Sequence, residues 1–138
     1  MDLAVDTNVI LACFKPHSVT RRLIAIEELH LSTTEYQFNE VNHYFRQVAD
    51  KYAVDEVFID ETMEFLETRI DIHPKDEYIN LVEKLKNNIS DKDDLPLFAL
   101  AIAKGFFIWT NDPHFQEQHL VKVYTTENLI EFIRQGKI

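Results

Sequence analysis

The chain has 138 residues, 46% of them hydrophobic, and a formal net charge of −10, which suits one buried core, a single domain over residues 1–138, and a surface that repels polyanions unless cations intervene. Cys13 stands alone and the only glycines are Gly105 and Gly136, which excludes an internal disulfide, a cysteine zinc cluster and a glycine-rich phosphate loop. No apolar run would span a bilayer and no leader pattern opens the chain, so a soluble cytoplasmic protein with no membrane partner is expected.

Residues 2–5 read as a short apolar strand. A helix begins near Asn8 and runs to Phe14, where Lys15-Pro16-His17 interrupts it. Ser18 is a good N-cap for a helix over Val19 to Leu29. A short strand at His30 to Ser32 follows. Thr33 or Thr34 then opens a long helix to about Ala53, with Phe38, Val41, Phe45, Val48 and Tyr52 as its apolar stripe. The next helix covers Val54 to Glu67, with Val57, Phe58, Phe65 and Leu66 inward. Arg69 to His73 reads as a strand stopped by Pro74. Lys75 to Asn88 is amphipathic, with Ile79, Val82, Leu85 and Ile89 on one side. Asp93 or Asp94 caps a helix to Lys104, and Gly105 ends it. Phe106 to Trp109 does not alternate and so predicts a strand buried on both faces. Leu120 to Tyr124 is the last strand, and Thr126 opens the final helix. Strands alternating with helices imply a parallel sheet covered on both sides.

Two of these strands end in the same way. LAV is followed by Asp6, Thr7 and Asn8, and FFIW by Thr110, Asn111 and Asp112. In an open parallel sheet, sites form at the carboxyl ends of strands, so Asp6 and Asp112 can converge. Carboxylates brought together repel, and a divalent cation relieves the conflict. Oxygen donors without a Cys/His cluster favour Mg²⁺ or Mn²⁺ over zinc. Glu40 lies about 120° from the centre of its helix's apolar stripe, at the border of the buried face. Asp91, Asp93 and Asp94 open a further helix, of which Asp94 is the best ligand candidate. His43, His73 and His114 lack mutual ligand spacing and read as bystanders, and Trp109 reads as core.

Taken in order, VDTNVIL, NEV, DKDDLPLFALAIAKG and IWTNDPHF resemble the motifs of PIN-domain nucleases. The resemblance runs from residue 3 to about residue 125. It implies a three-layer α/β/α sandwich around a mainly parallel sheet. It also implies Mg²⁺- or Mn²⁺-dependent cleavage of RNA, with Asp6, Glu40, Asp94 and Asp112 as the four acids and Asp91 as an additional one. Many small members are toxins of toxin–antitoxin pairs and form homodimers. Pro113-His114 departs from the charged pair more usual after the last acid, which bears on substrate contacts. Asn8, Thr110 and Asn111 are expected to orient the carboxylates, and Lys15, Arg21, Arg22 and Lys92 to contact RNA phosphates.

Plainer readings exist for the same residues. Asp6 and Asp112 also read as helix N-caps, the latter with proline at the first helical position. The cationic residues also read as scattered solvated charges. A non-catalytic RNA-binding or protein-interaction module is the competing function. A haloacid-type phosphatase would want an Asp where Asn8 stands.

Overall fold

Short apolar strands need crossovers to lie side by side in parallel, and this chain supplies α-helices between the first four strands and a 3₁₀ turn before the last. The computed structural model describes residues 1–138. Its strands are β1 (Asp2–Val5), β2 (His30–Thr34), β3 (Ile70–His73), β4 (Phe107–Trp109) and β5 (Val123–Tyr124). They form one sheet in the order β3-β2-β1-β4-β5, and every pair is parallel. The helices are α1 (Thr7–Leu11), α2 (Val19–Ile24), α3 (Glu35–Lys51), α4 (Glu56–Arg69), α5 (Ile79–Leu85), α6 (Leu95–Lys104) and α7 (Thr126–Arg134).

The strand period of two sends alternate side chains into two separate cores. Leu3, Val5 and Trp109 join one cluster with residues of α1, α2, α3, α4 and α7. Ala4 and Ile108 join the other, with α5 and α6. The result is a three-layer α/β/α sandwich. α6 is apolar nearly all round, and Leu97 to Leu100 are fully buried between the sheet and α5. Gly105 ends it in the left-handed region at φ 71°, a conformation that costs other residues about 1–2 kcal/mol. None of the helices is long and apolar enough to cross a membrane.

Several boundaries differ from the sequence reading. α2 stops at Ile24, because Ile26 and Leu29 turn the chain to bring His30 into line with Met1. α1 starts at Thr7, with Asp6 as its cap, and passes into a 3₁₀ turn over Ala12–Phe14. The segment after Pro74 makes a 3₁₀ turn over Lys75–Glu77 before α5 begins. Leu66 is buried as expected, but Val57 is 64% exposed and Ile59 and Thr62 face inward in its place, since the Asp55 cap sets the helical phase. Tyr52 and Ile79 are exposed as well. Strand β4 is buried at Ile108 and Trp109 but not at Phe107. The reason is that β5 has only two residues and pairs with Ile108 and Trp109 alone. Leu120, expected in that strand, lies outside it and is 60% exposed.

The order of the strands also fixes where a site can form. β1 is followed on one side by β2 and β3, and β4 with β5 return on the other. The direction reverses between β1 and β4, and ligand crevices open at the carboxyl ends of strands at such a reversal. Asp6 follows β1 at that point, and Thr110, Asn111 and Asp112 follow β4.

Candidate active site

The ends of β1 and β4 are joined directly. The Asp6 amide donates to the Trp109 carbonyl at 3.0 Å. Asp6 is buried, and its carboxylate accepts the Thr7 amide at 2.8 Å through Oδ1 and the Thr110 hydroxyl at 2.7 Å through Oδ2. Thr110 in turn accepts the Asp112 amide at 3.0 Å. One threonine therefore couples the two acids that end the two central strands. Burial pushes the Asp6 carboxyl above its usual range, and the bonds from Thr110 and Thr7 oppose that rise.

α3 brings the second acid. Thr34 caps this helix by accepting the Gln37 amide, and the first turns carry Glu40 to the mouth of the crevice. The Thr7 hydroxyl donates to Glu40 Oε1 at 2.9 Å. Burial raises the Glu40 carboxyl, the Thr7 bond lowers it, and Asp93, Asp6 and Asp91 add to the rise through their charges.

The third block enters on the loop before α6. Asp91 Oδ1 accepts the Asp93 amide, and the loop is held to α3 by Gln37 Nε2 on the Asp93 carbonyl at 2.9 Å. Tyr36 donates its hydroxyl to Asp93 Oδ1. Asp94 stands at the N-cap position of α6, yet its side chain caps nothing. Its Oδ2 is buried and has no hydrogen-bond partner. Burial first, then the charges of Asp6, Asp91 and Asp112, push this carboxyl up to about 7.

Asp112 caps the 3₁₀ turn over Pro113–Glu117. Its Oδ1 accepts the His114 amide at 2.9 Å and lies 2.8 Å from His114 Nδ1. That contact and the charge of Asp112 raise the His114 pKa. His114 is thus a member of the site and not the bystander expected from spacing. With Ser90, Asp91, Lys92 and Asp93 it lines an open polar cavity of about 580 Å³.

The remaining sequence candidates divide. Lys92 borders the acids. Lys15 lies over the Tyr52 ring, 5.8 Å from its centre, roughly 18 Å along the α3 axis from Glu40 by the helical rise. Arg21 is held by α4, through Thr62 at 2.6 Å and the faces of Phe58 and Phe65. Arg22 shares a separate groove with His17 and Phe58. These three cations do not ring the acidic crevice: α2 turns Arg21 and Arg22 toward α4, and Lys15 packs on Tyr52 at the far end of α3. Asn111 bonds Thr126 through both ends of its amide and so ties the loop to α7. Asn8 is exposed and takes no part in the bonds that hold Asp6 or Glu40. His43 stacks edge-on against Tyr44, and His73 contacts Ser32 and Glu77. Thr7, Tyr36 and Gln37 contribute to the site although no motif in the sequence marks them. Only the pairing of Thr7 with an acid across α1 and α3 reveals it, and no local spacing encodes that.

The acids gather around one crevice without closing on a point. No three or more His, Cys, Asp or Glu side chains are placed to hold a metal ion together. The physical reason lies in their partners. Asp6 is held by two threonines, Glu40 by Thr7 and Asp112 by His114, and their like charges favour separation. Asp94 alone keeps a buried oxygen without a donor. An all-oxygen set around such an orphan fits a hard divalent cation.

No curated protein matches the chain. A family model described as PIN domain matches residues 4–132, a span that takes in all five acids, both threonines and every strand but the first residues of β1. The α/β/α sandwich, the crevice at the reversal of strand order and this match agree: the chain belongs to the PIN domain family, whose members are generally nucleases.

Proposed function

We propose that the chain is a divalent-metal-dependent ribonuclease that hydrolyses RNA phosphodiester bonds, and that it acts as the homodimeric toxin of a toxin–antitoxin pair. The observation that supports the catalytic reading best is Asp94. A half-buried carboxyl with a buried orphan oxygen and three acids around it carries a cost that a cation would offset. PIN nucleases typically use divalent metals. Asp6, Glu40, Asp94 and Asp112, with Asp91 beside them, are the residues that would hold Mg²⁺ or Mn²⁺.

Bound there, the ion would supply Lewis acidity, acidifying water and offsetting charge on the phosphoryl oxygens. The chain's own groups do the rest. Thr110 and Thr7 donate to Asp6 and Glu40 and so favour their ionised, ligand-competent forms. Lys92 places positive charge at the mouth, where an RNA phosphate would enter, and Asp112 favours the protonated form of His114 beside it. That charge is local, as the net balance of −10 requires.

The test is cleavage of single-stranded RNA with Mg²⁺, Mn²⁺ or EDTA. Cleavage is expected with the ions and not with EDTA. Asp6→Asn keeps the size of the side chain and the acceptor for Thr7, and it is expected to reduce cleavage to background. An Asp6→Asn protein that cuts as fast as the parent would overturn the assignment. The non-catalytic reading has one observation in its favour, the lack of three converging ligands. It predicts RNA that is bound and left intact with every ion. The toxin role is tested by growth arrest on expression, relieved by Asp6→Asn, and the homodimer by light scattering.

A further inference from the structure

Beside the acids lies a second cavity of a different character. It has a volume of about 360 Å³, within the range of small-ligand pockets, about 300–1,000 Å³. Tyr36 stands at its mouth, and Tyr78, Ile79, Val82 and Leu95 form its walls. Tyr36, 38% exposed as a residue, is the link to the acidic crevice, since its hydroxyl is bonded to Asp93 while it also lines the cavity. Leu95 follows Asp94 directly. Lys75 and Lys92 stand at the rim, and neither forms a salt bridge. Asn39 adds an amide that can both donate and accept, and Glu35 adds an acceptor that already takes the Lys75 amide at 3.1 Å.

We infer that this cavity is a nucleobase pocket, which takes one unstacked base of a single-stranded RNA while the adjoining phosphate is presented to the acids. The inference rests on the ribonuclease reading and deepens it by naming the substrate form. An aromatic ring at the mouth gives a stacking face, and apolar walls suit the flat body of a base. The amide and carboxylate meet its polar edge. Two unpaired ammonium groups flanking an apolar slot, in a chain of net charge −10, complement the phosphates on either side of that base. A duplex cannot supply this ligand, because its bases are stacked and paired. A strand with a base at the right position therefore binds through the pocket, and the acids act on the phosphate next to it.

The test separates base recognition from catalysis. Fluorescence anisotropy in EDTA compares the whole protein's affinity for a single-stranded RNA oligonucleotide, its abasic counterpart and the same sequence as a duplex. The base-bearing strand is expected to bind on the order of tenfold more tightly than the abasic strand, which keeps every phosphate. Ile79→Trp fills the slot from an exposed wall position and is expected to erase that difference, and Tyr36→Ala to reduce it. Circular dichroism checks that Ile79→Trp folds, and Asn39→Ala offers a second variant that leaves the walls intact and should weaken the preference for base-bearing RNA. Equal binding of base-bearing and abasic strands would overturn the pocket, as would an Ile79→Trp protein with the parent's preference. Peptide binding in the slot with no preference between the RNAs would do the same. The two readings fail separately: base-dependent binding without cleavage in Mg²⁺ or Mn²⁺ removes the nuclease, and equal cleavage of base-bearing and abasic strands removes the pocket.

Discussion

Asp94 is the side chain on which stability and chemistry pull apart. Its carboxyl titrates near 7 in the folded chain, against a reference value of 3.8. The native state thus holds the proton more tightly than the unfolded state. The stability tied to this group is complete below the unfolded value and is lost as pH rises through the folded one. Without divalent ions, the melting temperature should fall between about pH 4 and about pH 7, and Asp94→Asn should flatten that dependence and raise the melting temperature at the upper end. The same substitution should abolish cleavage, and a variant whose pH profile matched the parent's would remove Asp94 as the source. Thr110 acts through Asp6. Thr110→Val keeps the shape but removes the bond to Oδ2, so kcat should fall about 10–100-fold, the usual effect of losing a group that orients a metal ligand. Thr110→Ser should restore most of the rate, which a purely structural role for the methyl would not permit.

At the level of elements, the site depends on how helices end and begin. α6 has the left-handed Gly105 at one end and the uncapped Asp94 at the other. A Cβ at Gly105 would meet no atom within 4 Å, so the cost of Gly105→Ala comes from the backbone alone. It should lower stability by about 1–2 kcal/mol in urea unfolding without changing the RNA cleavage pattern. α7 locks the other side of the crevice. Its capping box uses Thr125 and Asn128, while Thr126 receives Asn111 and the Trp109 indole. These bonds give the loop after β4 a fixed course into Asp112. Helix α3 has two functions, burying Phe38, Val41 and Ala49 on one face and carrying Tyr36 and Glu40 at the edge of another.

For the molecule as a whole, Trp109 is where the two central strands, the core and the site meet. It is fully buried, accepts the Asp6 amide through its carbonyl and bonds Thr126 through its indole. Trp109→Ala should cost about 3–5 kcal/mol in chemical denaturation, as large aromatic deletions in cores do. Trp109→Phe should keep much of that stability. The acid count makes the whole fold responsive to cations. Mg²⁺ should raise the melting temperature, and more at about pH 8 than at about pH 5, because ligands must be ionised to bind. A shift independent of pH would point to general screening of the −10 charge rather than to a site.

Much of this architecture is legible before folding. Strand–helix alternation, the Ser18 cap, the Gly105 stop and the pairing of LAV with Asp6 and of FFIW with Asp112 are local patterns, and local sterics and burial decide them. Three of the four acidic blocks are equally visible, since Asp6, Asp94 and Asp112 each sit beside a strand end or helix start, while Glu40 lies inside α3. What the chain order could not decide is which neighbours satisfy each acid. Thr7 reaches Glu40 because α1 packs on α3, and Thr110 reaches Asp6 because β4 lies next to β1, and both adjacencies come from crossovers over many residues. The same holds for Arg21, drawn to Thr62 and away from the acids, and for Phe107, left open by a two-residue edge strand. Periodicity speaks for residues within a turn or two of each other. Contacts between distant segments follow from packing, and at this site packing chose the partners that leave Asp94 with an unpaired oxygen.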